Sequence, residues 1–144
     1  MRAAVAAAAL VCAAGAHAAD FRSVGENAAV LYDAPSRAST PVFVASRYYP
    51  VEVIVNLDAW VKVRDHTGTL SWVEKKSLLD RRMVIVTAPT VEVRTRAEEN
   101  APVAFQVTQN VALDLVEIAP GGWVRVRHAD GSGGYVKSSF VWGL

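Results

Sequence analysis

The chain has 144 residues, 52% hydrophobic and 20% charged, with a formal net charge of +1. That composition is globular, enough for one medium domain or two very small ones. The balanced charge excludes a global pull toward nucleic acid or an anionic membrane, so any electrostatic preference must come from local clustering.

Met1-Arg2 supplies a positive start, Ala3 to Ala14 is an unbroken apolar run, and Ala16-His17-Ala18 has the small-x-small form of a cleavage site. The run is short of the about 20 residues that span a bilayer. Residues 1–18 are therefore expected to be a secretory signal, cut after Ala18 or one residue later, with an uncleaved anchor as the alternative. Cys12 raises lipidation as a further alternative, disfavoured by Val11 where a small residue is wanted and by the alanines that continue past it. Cleavage would leave a chain without cysteine, held together by its cores rather than by disulfides. Removing Arg2 also leaves 14 basic against 14 acidic residues. Export, most simply to the periplasm, is the expected localisation, with no integral membrane segment remaining.

After residue 19 no stretch keeps a helical period. Alternation predicts strands at 28–33, 42–46, 50–57, 59–65 and 69–73, then at 90–95, 103–107, 112–118, 122–128 and 133–137. Turn chemistry punctuates them at Asp33-Ala34-Pro35-Ser36, His66-Thr67-Gly68, Pro120-Gly121-Gly122 and Asp130-Gly131-Ser132-Gly133. Lys75-Lys76-Ser77 and Lys137-Ser138-Ser139 suit single 3₁₀ turns. A boundary is expected near Leu79-Asp80-Arg81-Arg82, giving units over 19–80 and 81–144, with Met83-Val84-Ile85-Val86 as a further strand beyond it. No Gly/Ser spacer intervenes, so the units should pack on each other.

The two units repeat. Val30-Leu31-Tyr32-Asp33 matches Val91-Glu92-Val93-Arg94, Val51-Glu52-Val53 matches Leu113-Asp114-Leu115, and Trp60-Val61-Lys62-Val63-Arg64 matches Trp123-Val124-Arg125-Val126-Arg127. The offset drifts from 61 to 63, which asks for two single-residue insertions in the second copy. Colinear similarity of this extent marks an internal duplication. The predicted class is all-β, two tandem small barrels of about five strands each.

Aromatic-Val-basic-Val, a Gly turn, a second aromatic-Val and a short tail resemble the bacterial Src-homology-3 (SH3) family. The residues are Trp60-Val61-Lys62-Val63, Gly68, Trp72-Val73 and Leu78, then Trp123-Val124-Arg125-Val126, Gly131, Tyr135-Val136 and Val141. Many members carry Gly before the second aromatic; copy two has Gly134 and copy one Ser71. The Asn-Val-Arg-Ser-Gly-Pro-like opening of many members survives only as Val93-Arg94-Thr95. Val30-Leu31-Tyr32-Asp33 is similar to the opening of eukaryotic SH3 domains, but Ala34 stands where their second tyrosine would. The resemblance implies a binding scaffold of a kind that often accompanies cell-wall enzymes, with peptidoglycan stem peptide as one ligand class and an envelope protein as another.

Little points to catalysis. The histidines left after cleavage, His66 and His128, fall beside the same turn of separate copies, which argues against one shared metal. Glu98-Glu99 reads as solvated surface, and no phosphate loop or nucleophile elbow appears. No cofactor or metal is expected. The candidate ligand-binding residues are Trp60, Lys62 and Arg64, which alternation places opposite Val61 and Val63, and their counterparts Trp123, Arg125 and Arg127. Tyr48 and Tyr49 are added because adjacent loop residues do not both easily enter one core. Against this stands a structural role for the tryptophans, as covers over the open edge of each core.

Overall fold

The computed structural model describes residues 18–25 and 27–144; the leader expected over 1–18, Cys12 included, lies apart from Ala18 outside the described residues. The first half contains β1 (Phe21–Val24), β2 (Ala29–Tyr32), β3 (Pro41–Ala45), β4 (Pro50–Asn56), β5 (Trp60–Arg64), β6 (Leu70–Glu74), a 3₁₀ turn (Lys75–Ser77) and β7 (Leu78–Leu79). The second contains β8 (Met83–Val86), β9 (Thr90–Arg94), β10 (Val103–Thr108), β11 (Ala112–Ala119), β12 (Trp123–Arg127), β13 (Gly133–Lys137), a 3₁₀ turn (Ser138–Phe140) and β14 (Val141–Trp142). The protein is thus all-β, in two SH3-like halves. Each forms one antiparallel sheet with the same order, β3-β2-β6-β5-β4-β1-β7 and β10-β9-β13-β12-β11-β8-β14.

The expected strands all form, and two kinds were not anticipated. β1 escapes the alternation pattern because Arg22 and Ser23 interrupt it; Ser23 is nonetheless buried, its hydroxyl donating to the Arg81 carbonyl at 2.8 Å. The closing strands β7 and β14 are two residues long, too short for any period to register.

Strand pairing also corrects the repeat alignment. Tyr32 faces Trp72 and Arg94 faces Tyr135, while Leu31 faces Phe43 and Val93 faces Phe105. Tyr32 therefore corresponds to Arg94 and Leu31 to Val93, a constant offset of 62 through β4 and β11. One insertion suffices, in the turn where Asp58-Ala59 becomes Pro120-Gly121-Gly122. The valine that misled the eye, Val30, is exposed, whereas Leu31 and Val93 are fully buried. Burial fixes register because a one-residue slip would turn every side chain to the wrong face.

Val61 and Val63 on β5, and Val124 and Val126 on β12, point into their cores as alternation requires. β8 is different: all four of its residues are buried. Val84 and Val86 join the second core, while Ile85 joins the first. A strand covered on both faces needs an unbroken apolar run, which is why Met83–Val86 reads as one. Around it Trp142 packs edge-on against Phe21 with centroids 5.1 Å apart, and Arg82 lies over the other side of the junction, 5.4 Å from the Phe21 ring and 2.9 Å from the Gly143 carbonyl.

One departure between the copies has a steric cause. A Cβ at Gly134 would come within 2.5 Å of the Arg94 carbonyl oxygen, so only glycine fits there. Ser71 occupies the same place on β6 and is buried, with no hydrogen-bond partner for its hydroxyl.

Two outcomes follow for denaturation experiments. Ile85→Ala, though its strand belongs to the second sheet, should destabilise the whole protein by about 2–5 kcal/mol in one transition shared by tryptophan fluorescence and circular dichroism. Ser71→Ala should be neutral or stabilising, since it removes an unsatisfied hydroxyl, whereas Gly134→Ala should be strongly destabilising.

Candidate functional site

The tryptophan that opens β5 pairs across the ladder with Glu74, and the one that opens β12 pairs with Lys137. In the first half the arm between β2 and β3 folds over this pair. Its fold is set locally: the Asp33 carboxylate accepts from the Thr40 amide at 3.0 Å, and Ser39 turns back onto the Ala34 carbonyl. The arm thereby brings Arg37 to Glu74, with a 2.9 Å hydrogen bond from Nη2 to Oε2 beside a second contact through Nε. The result is a cleft of about 850 Å³, walled by Pro35, Arg37, Asp58, Glu74 and Lys76 with Trp60 among them. The Trp60 ring is half-buried and stands edge-on to Tyr32, centroids 5.7 Å apart.

The second half has a cleft of about 530 Å³ that shares with the first the counterparts of Arg37, Trp60 and Glu74, namely Glu99, Trp123 and Lys137, but opens on the other side of that pair, between Glu92, Arg94 and Phe140. Its arm places Glu99 where the first places Arg37, and Lys137 replaces Glu74. Lys137 donates to Glu99. The same bridge therefore spans both clefts with its polarity reversed. Glu98-Glu99 is not merely solvated surface, because Glu99 closes this pair.

The ion pairs fix protonation. The Arg37 hydrogen bond, reinforced by Lys76, holds the Glu74 carboxyl down at about 2. The Lys137 hydrogen bond likewise lowers Glu99. In contrast burial, with the Asp65 charge second, pushes the Tyr49 phenol up to about 12.

The expected strip does not form one surface. Trp60 lines its cleft, but Lys62 sits over the Trp72 ring at 5.9 Å and Arg64 is bonded to Glu52 at 2.9 Å. Trp123 is only 9% exposed and lines the second cleft, while Arg125 and Arg127 are exposed and line a separate hollow. The reason is geometric: Trp123, at the start of β12, is buried beside Glu99 and Lys137, whereas Arg125 and Arg127 lie further along the strand on its exposed face. The two tyrosines separate as well. Tyr49 enters the first core, touching Phe43, with its hydroxyl bonded to His66 Nδ1. Tyr48 takes φ 62° and its ring is held between two guanidinium groups, Arg47 at 4.4 Å and Arg81 at 4.3 Å. The histidines are not equivalent either. His128 occupies the place of Asp65, since the His128 amide bonds the Ser132 carbonyl as the Asp65 amide bonds that of Thr69. Among the described residues no group of three or more His, Cys, Asp or Glu could hold a metal, and no helix is long and apolar enough to cross a membrane.

Arg37, Glu74, Glu99 and Lys137 were not singled out by sequence reasoning. The signal was present: once the copies are aligned at the correct offset, Arg37 falls on Glu99 and Glu74 on Lys137, two charge reversals together.

The Glu74 shift has a definite sign. Its folded value lies below the unfolded value of about 4.3, so its contribution to stability is present above that pH and is lost as pH falls toward about 2. Carboxyl titration by NMR should place Glu74 at the low end, and Glu74→Gln should remove part of the stability loss in that window.

Among curated proteins none matches the chain. Solved structures similar to it include NlpC2 from Trichomonas vaginalis, 14% identical over 87% of this chain and 48% of that one, with TM-score 0.40. NlpC1 from the same organism is 14% identical over 90% and 47%, with TM-score 0.41. An NlpC/P60 family protein from Bacillus cereus is 18% identical over 85% and 55%, with TM-score 0.40. The chain spans about half the length of these proteins. The family model described as bacterial SH3 domain matches residues 25–80 and again 87–143, which cover both sheets apart from β1 and β8. The chain belongs to the bacterial SH3 domain family and carries that domain twice.

Proposed function

We propose that the chain is an exported, non-catalytic binding module whose tandem SH3 domains, over 19–80 and 81–144, recognise a peptide or protein partner in the cell envelope. Residues 1–18 serve as the secretory signal and the periplasm is the site of action. Peptidoglycan stem peptide is the ligand class, an exposed peptide with both amines and carboxylates.

The observation that carries this reading is a cleft in each half lined by the equivalent tryptophan and the equivalent ion pair. A half-buried ring beside a cleft supplies apolar contact, and the flanking charges supply orientation. Trp60 is the anchor of the first cleft, and the largely buried Trp123 lines the second. A ligand bearing both charges could exchange with either bridge, since exposed ion pairs are individually weak. Lys62 and Arg64 on the sheet face, Tyr48 at the junction and Tyr49 in the first core stand outside the clefts and shape the sheet and the junction that hold them.

A second reading, a structural adaptor that uses both barrels in one protein interface, is favoured by the shared β8 and the Phe21–Trp142 contact, which fix one barrel against the other. Sedimentation with purified peptidoglycan separates the two. The binding module should co-sediment, and Trp60→Ala should weaken retention by about tenfold or more, as truncation of an aromatic anchor does. Absence of retention, together with a single envelope protein captured by cross-linking in the periplasm, would favour the adaptor.

A further inference from the structure

The hollow on the outer face of the second sheet is distinct from both tryptophan clefts. It is lined by Arg125 and Arg127 on β12, Val116 on β11, and Tyr135 and Gly133 on β13. Among the described residues every other lysine and arginine has a partner. Arg22, Arg37, Arg64, Lys76, Arg81, Arg94, Arg96 and Lys137 bond acids. Lys75 and Arg82 bond carbonyls, Lys62 and Arg47 lie over rings. Arg125 and Arg127 alone have none.

The cause lies in how one acid is allocated. Arg64 and Glu52 face each other across β4 and β5 and form an ion pair. Their equivalents Arg127 and Asp114 face each other in the same register. But Asp114 is taken by Arg81, which grips it with two bonds at 2.7 and 2.8 Å. Arg81 comes from the junction, so fastening the junction is what strips Arg127 of its acid. Glu117 faces Arg125 across the ladder and makes no ion pair with it. The neighbouring glycines add no side chain over the hollow.

Two arginines two residues apart on one strand face project about 7 Å from each other. Carboxylates at alternate positions of an extended peptide have the same spacing. Val116, 45% exposed on one neighbouring strand, and Tyr135 on the other put apolar surface on both sides of the charged row. A bare phosphate chain has nothing to set against that surface. We propose that this face of the second barrel binds an extended acidic peptide, its alternate carboxylates on Arg125 and Arg127. The proposal rests on the reading of the chain as a binding module and adds a ligand class that the tryptophan clefts do not require.

The test is fluorescence anisotropy of the full chain with a fluorescein-labelled Gly-Asp-Val-Asp-Val-Gly peptide, its Asn-for-Asp counterpart and inorganic polyphosphate. The aspartate peptide should bind, and the asparagine peptide should not. Arg125→Gln with Arg127→Gln, both at exposed strand positions, should weaken binding by about tenfold or more, the loss expected for two charge-assisted contacts. Arg81→Gln should weaken it more modestly by returning Asp114 to Arg127. Equal binding by the double variant, equal binding of the asparagine peptide, tighter binding of polyphosphate, or no binding up to about 1 mM would overturn the proposal. Peptidoglycan retention through Trp60 is read separately, so failure of either site leaves the other measurable.

Discussion

The double burial of β8 is the constraint on which the rest of the structure depends. Domains of about 60 residues bury limited apolar area and are marginal alone. Here Val84 and Val86 complete one core while Ile85 completes the other, so neither barrel has a finished interior without the same four-residue strand. The equivalent strand of the first half, β1, carries Arg22 and Ser23 instead, because nothing requires it to serve two cores. Its Phe21 instead takes the edge of Trp142.

Once the halves are joined, the polar groups around the junction are committed, and the consequences reach the surface. Arg81 spans the junction, stacked on Tyr48 of the first half and bonded to Asp114 of the second. The acid that would neutralise Arg127 is spent there. Duplicated strands that began with the same register have therefore acquired different electrostatics: Arg64 is paired, Arg127 is not. The bridge across the tryptophan clefts diverged in another manner. Both partners changed sign together, from Arg37–Glu74 to Glu99–Lys137, which preserves the contact while altering what each wall presents.

Much of the fold was legible because alternating valines have one sensible reading. Val61 with Val63 and Val124 with Val126 mark inward faces without help from tertiary context. β1 was not legible, since the burial of Ser23 depends on a carbonyl 58 residues away. The alignment of the copies slipped by one at Val30 because a sequence match rewards identical residues, while the fold rewards equal burial. The site was legible only in part. Alternation correctly placed Arg125 and Arg127 outside, but the burial of Trp123 and the partners that occupy Lys62 and Arg64 are long-range facts. Tyr48 and Tyr49 were singled out because adjacent loop residues do not both easily enter one core; one of them, Tyr49, fills the first core, and its hydroxyl can be buried there because His66 meets it.

One strand, β8, makes the two barrels a single body. Backbone NMR relaxation tests it most directly, because two small domains on a free tether tumble faster and independently of each other. One rotational correlation time, appropriate to the whole chain, is expected for amides in β2–β6 and in β9–β13. Two distinct times, or times appropriate to each half alone, would contradict it.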